Sequence, residues 1–121
     1  MVRLILAACF LLTLSGYYAQ SQEKIVCELV MYHSPRCRCC IRFMPKFDQL
    51  ARDPTLNSVR FEKIDCLANR EACSGIRYYP TVMLYVNGRL YKQYENYDDI
   101  MLPDGEFRKD LNTIYSSKAA L

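Results

Sequence analysis

Apolar residues are arranged in two ways along the chain: in runs or alternations typical of strands, and at the three- or four-residue spacing of helices. Four segments have a pattern that predicts strands. Residues 25–32 form an apolar run with one charge, which predicts a buried strand. Val59–Asp65 alternates apolar and polar residues and predicts a second strand. Thr81–Val86 and Arg89–Tyr94 predict a hairpin, because the Asn-Gly pair between them favours the positive φ angles of a tight turn.

Helical spacing appears in three other segments. Apolar residues recur three or four positions apart from Cys37 to about residue 52, although Pro45 lies inside this stretch and should kink the helix. Residues 66–75 predict a short helix ended by Gly75, and residues 104–115 predict a last helix capped by Asp104. The order β-α-β-α-β-β-α predicts an α/β fold in which a mixed four-stranded sheet carries helices on both faces.

The N-terminal residues have the layout of a secretory signal peptide. Arg3 precedes an apolar stretch over residues 4–14, and small residues follow at Ala19 and Ser21. The apolar stretch is shorter than the roughly 20 residues that a membrane-spanning helix needs, although an uncleaved anchor is the alternative. We therefore expect a signal peptide over residues 1–21, one domain over residues 22–121, and no membrane association after cleavage.

Charge and cysteine content narrow the class of protein. A net charge of +3 on 121 residues is too small to favour nucleic acid or acidic lipid as a partner. The chain has seven cysteines, of which Cys9 would leave with the signal peptide. Six cysteines in a secreted domain of this size indicate disulfide chemistry.

The first predicted helix starts at a pair of cysteines. Cys37 and Cys40 form a C-x-x-C motif where a predicted strand ends and a predicted helix begins. Unpaired backbone N–H groups and the helix dipole stabilise a thiolate at that position, and Arg36, Arg38 and His33 would add positive charge. A thiolate at Cys37 could attack a disulfide, and Cys40, one helical turn away, could resolve the mixed disulfide.

Three segments resemble the thioredoxin family and, within it, the domains of protein disulfide isomerases. Residues 32–40 with Pro45 resemble the active-site segment, and residues 75–81 resemble the segment that ends in a cis-proline. Residues 63–69, with Cys73 beyond them, resemble isomerase domains that carry an extra structural disulfide. The resemblance covers residues 25–115 and implies a thioredoxin-like three-layer fold without the family's first strand and helix. It also implies a Cys66–Cys73 disulfide, and it implies that Tyr79 and the cis-proline Pro80 bind the substrate backbone.

Several positions depart from the family pattern. Arg36 replaces a tryptophan, and Arg38 and Cys39 replace the glycine and histidine that isomerases have between the cysteines. Met31 occupies the position of a buried acid that deprotonates the second cysteine, whereas the lysine that accompanies this acid is present as Lys63. We therefore expect slower proton transfer at Cys40, through water or Lys63.

The resemblance implies an enzyme that exchanges disulfides with protein substrates. No flavin or nicotinamide motif is present, so we expect no bound cofactor and an external redox partner such as glutathione. We further expect a monomer that is secreted or lies in the lumen of the endoplasmic reticulum.

Alternatives remain open for the cysteines. Cys37 and Cys40 could form a structural disulfide in a redox-inactive, partner-binding relative, or could join Cys39 and His33 in a soft-metal site, although we assign no metal. Cys39 is expected to be exposed, either as an auxiliary thiol or as a tolerated substitution. Cys27 is expected to be a buried core cysteine. About seven extended residues separate it from the active-site loop, which places it too far from Cys39 for a disulfide.

Overall fold

The computed structural model describes residues 24–119, and its strands follow the predicted pattern. β1 is Cys27–His33, β2 is Val59–Asp65, β3 is Thr81–Val86 and β4 is Arg89–Tyr94. The last three have the predicted bounds, whereas β1 begins two residues later than the apolar run that predicted it. The four predicted strands are therefore confirmed.

The strands form one mixed sheet in the order β2-β1-β3-β4. β1 pairs parallel with β2, as the crossover helix requires, and antiparallel with β3. In the turn between β3 and β4, Asn87 and Gly88 have φ angles of 51° and 81°, a region that these two residue types tolerate best. In the register of the two central strands Tyr32 lies opposite Thr81, so the end of β1 lies beside the start of β3.

One long helix follows β1. This helix, α1, is Arg38–Ala51, and it buries Cys40, Phe43, Phe47 and Leu50 along one face. Pro45 lies inside the helix, as predicted, and it is exposed. A 3-10 turn at Pro54–Leu56 then leads to β2.

The chain ends in two helices rather than one. α2 is Tyr97–Met101 and α3 is Glu106–Ala119. The prediction of Asp104 as the helix cap is wrong, because α3 begins two residues later. Gly105 lies tightly against α2, and a Cβ atom there would come within 2.5 Å of the Asp99 carbonyl oxygen. The close approach of the two helices therefore requires glycine at this position.

Asp53 joins the end of α1 to α3. Its carboxylate accepts hydrogen bonds from the backbone N–H and hydroxyl of Thr55, and it pairs with the Arg108 guanidinium at 2.7 Å. The hydrogen bonds from Thr55, followed by Arg108, lower the pKa of Asp53 to about 2. This contact fixes the C-terminal end of the helix that carries the cysteine pair.

The two faces of the sheet are covered differently. The larger cluster lies between the sheet and the helices α1 and α3, which contribute Phe43, Phe47, Phe107 and Leu111. On the opposite face a smaller cluster joins strand side chains to Cys66 and Cys73. The main core therefore lies under the helix that begins at the active-site cysteines.

The predicted helix over residues 66–75 is wrong, because this segment forms consecutive turns. Cys66 and Cys73 form the implied disulfide, with their Cα atoms 5.5 Å apart. Seven residues of α-helix would separate them by about 10.5 Å, so the disulfide excludes the helix. Asp65 starts the turns instead, since its carboxylate accepts hydrogen bonds from the N–H groups of Leu67 and Ala68.

Among residues 24–119, none of the helices is both long enough and apolar enough to cross a membrane. The predicted signal peptide at residues 1–21 lies outside the described residues and stays a prediction, as does the absence of the family's first strand and helix.

Candidate active site

Cys37 occupies the N-cap of α1, where the sequence predicted the nucleophile. Its backbone N–H donates to the Ser34 carbonyl at 3.1 Å, and its own carbonyl accepts the first helical hydrogen bond, from Ile41. The side chain is half-buried at the surface. Contacts from the backbone N–H and the thiol of Cys40, and then from Cys39, lower the pKa of Cys37. The helix start thus favours the thiolate form of this cysteine.

Cys40 lies one turn further along and is completely buried. Burial, together with the neighbouring Cys37, raises the pKa of its thiol to about 11. Met31, at the position of the missing acid, is also fully buried and belongs to the same cluster as Cys40. The two cysteines of the motif therefore have opposite environments, one favouring the thiolate and the other the neutral thiol.

A distant segment reaches Cys37 from the start of β3. The Tyr79–Pro80 peptide bond is cis, as the resemblance implies. The Cys37 thiol donates to the Tyr79 carbonyl oxygen, with 3.5 Å between sulfur and oxygen. Tyr79 itself remains 37% exposed, so its backbone borders the nucleophile on an open surface. The structure thus brings Cys37, Cys40, Tyr79 and Pro80 together.

The predicted charged residues are not equally close to the thiols. Arg36 and Arg38 flank Cys37 and are exposed, and neither takes part in the ion pairs of the described residues. Lys63 lies opposite Met31 in the sheet, but its ammonium group pairs with Asp48 of α1 at 2.6 Å. A role for Lys63 in proton transfer therefore stays a prediction, and it would require this ion pair to open.

Tyr97 belongs to the site although the sequence analysis missed it. Its ring stacks on Phe43 of α1, with centroids 4.4 Å apart and an interplanar angle of 17°. Burial raises the pKa of its phenol, and among the three neighbouring thiols Cys39 raises it most. Asn96 before it, with Asp98 and Asp99 in the first turn, is the helix-start signal that could have revealed α2.

The two other free cysteines lie in different environments. Cys39 is exposed, as expected, and Cys27 is buried in the core. His33, considered as a metal ligand, has a buried Nδ1 atom without a hydrogen-bond partner. Within the described part of the chain, no three His, Cys, Asp or Glu side chains form a metal-ligating group.

A family model for thioredoxin matches residues 12–102, which is more than half of the chain. The chain belongs to the thioredoxin family. The matched range contains α1, all four strands and the segment around Pro80, so the predicted thioredoxin-like α/β fold is confirmed.

Similar proteins include longer relatives. The chain is 33% identical over 72 residues to "Thioredoxin domain-containing protein 5 homolog" of Drosophila melanogaster, covering 54% of this chain and 17% of that protein. It is 28% identical over 68 residues to a putative protein disulfide-isomerase of Schizosaccharomyces pombe, covering 54% of this chain and 14% of that protein. The chain thus spans less than a fifth of the length of these relatives.

A solved structure covers more of the fold. The crystal structure of the Trx4 domain of ERdj5 superposes with a TM-score of 0.56 at 28% identity, covering 79% of this chain and 82% of that one. Together with the curated relatives, it identifies this chain as a thioredoxin-fold domain similar to disulfide-isomerase-like proteins, with a C-x-x-C pair at Cys37 and Cys40.

Proposed function

We propose that this protein is a thiol–disulfide oxidoreductase that acts on protein disulfides through Cys37 and Cys40. The observation that supports it most strongly is the opposite tuning of two thiols on one helical turn. The pKa of the half-exposed Cys37 is lowered, while Cys40 is buried beside it with a pKa raised to about 11. A nucleophile and a protected resolving thiol need this difference.

In the first step the Cys37 thiolate attacks one sulfur of a substrate disulfide. A bond forms between Cys37 and that sulfur, the substrate disulfide breaks, and the other substrate sulfur leaves as a thiolate that takes a proton from solvent. The Tyr79 backbone, beside Cys37 and exposed, would align the substrate chain.

In the second step Cys40 loses its proton and attacks the Cys37 sulfur of the mixed disulfide. A Cys37–Cys40 disulfide forms, the bond between Cys37 and the substrate sulfur breaks, and that sulfur leaves as a thiolate; the proton of Cys40 passes to solvent, which in turn protonates the leaving thiolate. Met31 offers no carboxylate to accept the proton, and burial opposes ionisation of Cys40. Resolution should therefore be the slow step.

The oxidised pair must then be reduced by an external thiol, since exchange conserves the number of disulfides. Glutathione is one such partner. We place the protein in the secretory pathway, as a secreted or endoplasmic reticulum protein. Two observations support this location: the signal-peptide pattern over residues 1–21, and the similarity to a putative protein disulfide-isomerase.

Insulin reduction by dithiothreitol, followed by turbidity, tests the proposal on the chain without residues 1–21. We expect acceleration over the reagent alone, and no acceleration with Cys37→Ser. The matched variant Cys40→Ser, reduced beforehand and then mixed with insulin without dithiothreitol, should instead accumulate a mixed disulfide with insulin, visible by non-reducing electrophoresis. Circular dichroism would check that the wild-type protein is folded. Absence of activity in the folded protein would disprove the proposed oxidoreductase function.

A redox-inactive partner-binding protein is the second candidate. The exposed Tyr78 and Tyr79 favour it, since 51% and 37% of their surfaces face solvent and the Tyr79 backbone contacts Cys37. Titration of Cys37 separates the candidates, because a binding protein needs no thiolate at neutral pH, whereas an oxidoreductase does.

A further inference from the structure

Cys39 lines a cleft that the proposed reaction does not use. The cleft has a volume of about 200 Å³ and lies between α1 and α2. Its lining consists of one thiol, two cations and two aromatic rings, from Cys39, Arg42, Phe43, Lys46 and Tyr97. The substrate-aligning residues Tyr79 and Pro80 are not among these residues.

The three polar side chains share one side of α1. Cys39, Arg42 and Lys46 are spaced by three and four residues, so they lie in a row along the helix surface. All three are exposed, and neither cation takes part in the ion pairs of the described residues. Two unpaired positive charges therefore stand beside an accessible thiol.

Two packed aromatic rings form one side of the cleft beside Cys39, Arg42 and Lys46. Phe43 is buried in the core, and the Tyr97 ring stacks on it at 4.4 Å. Tyr97 and Cys39 line the same cleft from α2 and α1, respectively. The volume is below the roughly 300 Å³ of a pocket that encloses a drug-sized ligand, so it would hold only part of a molecule.

We propose that Cys39, Arg42 and Lys46 form a docking and modification site for small disulfides that carry carboxylates, of which glutathione disulfide is the probe. The cations hold the carboxylates while the Cys39 thiolate attacks one sulfur. A bond forms between Cys39 and that sulfur, the reagent's disulfide bond breaks, and one glutathione leaves as a thiolate that takes a proton from solvent.

This inference goes beyond the proposed function, because the adduct forms without attack by Cys37 on a protein. It also gives the two exposed thiols different partners. As disulfide substrates, Cys37, beside the Tyr79 backbone, takes polypeptides, whereas Cys39, beside the cations, takes small anions.

The test uses Cys37→Ser protein, so that its result is independent of the oxidoreductase activity. Adduct formation is followed by mass spectrometry with three reagents: glutathione disulfide (anionic), hydroxyethyl disulfide (neutral) and cystamine (cationic). We expect one adduct, mapped to Cys39 by peptide analysis and absent after the further substitution Cys39→Ser. An adduct that persists in this double variant would overturn the site.

Removal of the two charges tests the docking. In Arg42→Gln/Lys46→Gln, we expect the rate ratio of glutathione disulfide to cystamine to fall by about ten-fold at low salt. The ratio of the two rates is the informative quantity, because a general change in the reactivity of Cys39 would alter the rates with all three reagents equally. The control Arg70→Gln/Arg89→Gln removes the same charge from exposed sites outside the cleft and should keep the wild-type ratio. Equal rate changes for the three reagents, or an equal effect of the control pair, would overturn the proposal.

Discussion

The molecule contains two pairs of closely spaced cysteines in contrasting conformations. Cys37 and Cys40 begin a helix and are both free, while Cys66 and Cys73 are joined across a series of turns. In the first pair one sulfur is half-exposed and the other fully buried, whereas in the second pair both are buried against the sheet.

The contrast shows that backbone geometry, more than spacing in the sequence, separates the two pairs. A helix start directs N–H groups at the first sulfur and stabilises its thiolate. The turns of the second pair instead let the chain fold back until the Cα atoms are 5.5 Å apart. One pair is suited to exchange and the other to cross-linking.

The largest expected difference lies within the free pair. At pH 7 Cys37 should react with iodoacetamide at least about 100-fold faster than Cys40, since their pKa values lie on opposite sides of an ordinary thiol pKa near 9. The initial rates can be measured by peptide mass spectrometry. The ratio should narrow as the pH approaches 11, where Cys40 ionises.

Guanidinium-unfolded protein supplies the control for this experiment, because both cysteines should then react alike. Equal rates in the folded protein at pH 7 would contradict the assignment of nucleophile and resolving thiol.

Loss of the cross-link should have the next largest effect. Cys66→Ser/Cys73→Ser should lower the free energy of unfolding by about 2.5 kcal/mol, since the disulfide limits the entropy of the unfolded chain. Calorimetry should show a Tm lower by roughly 10–20 °C. Cys39→Ser, an exposed cysteine outside the bridge, should leave the Tm unchanged. An unchanged Tm in the double variant would mean that the bridge adds no stability.

The smallest effect concerns the packing beside the bridge. The hydroxyl groups of Tyr32 and Tyr85 are 2.7 Å apart in the smaller cluster. Tyr85→Phe should cost about 1 kcal/mol by urea unfolding, because the buried Tyr32 hydroxyl loses its partner. Tyr91→Phe, on an exposed strand position, is the control and should cost nothing measurable.

The hydrogen bond between Tyr32 and Tyr85 also predicts how the stability of the protein depends on pH. Burial, followed by the Tyr85 hydrogen bond, raises the pKa of Tyr32 in the folded state. The folded protein therefore keeps a proton that the unfolded chain releases, so stability is complete at neutral pH and falls above about pH 10. Urea midpoints between pH 8 and pH 11 test this, and a rising midpoint would contradict it.

The sequence pattern predicted the sheet well because the strands are marked by strong local signals. The hairpin bounds follow from the Asn-Gly turn, and the parallel pair follows from the crossover helix. The free thiols at the start of α1 could also be predicted, since the C-x-x-C motif lies where the strand ends. Local signals fix elements when nothing distant competes with them.

The failures occurred where distant or covalent contacts decide the conformation. A helix over residues 66–75 is incompatible with the disulfide that the resemblance implied. The rise per residue of an α-helix shows this from the sequence alone, because it would hold the two cysteines too far apart to bond. α2 is only five residues long, and its place depends on stacking of Tyr97 against Phe43. No periodicity in the sequence reports such a contact.

The reach of Tyr79 to Cys37 has a consequence for biosynthesis. The two residues are 42 positions apart and meet only because β3 pairs with β1. A chain emerging from the ribosome presents Cys37, Cys39 and Cys40 well before the segment that borders the nucleophile. During that interval the thiols lack their folded neighbours, and Cys66 must find Cys73 among them. Until β3 has formed, Cys37 therefore lacks the Tyr79 backbone that borders it in the folded domain.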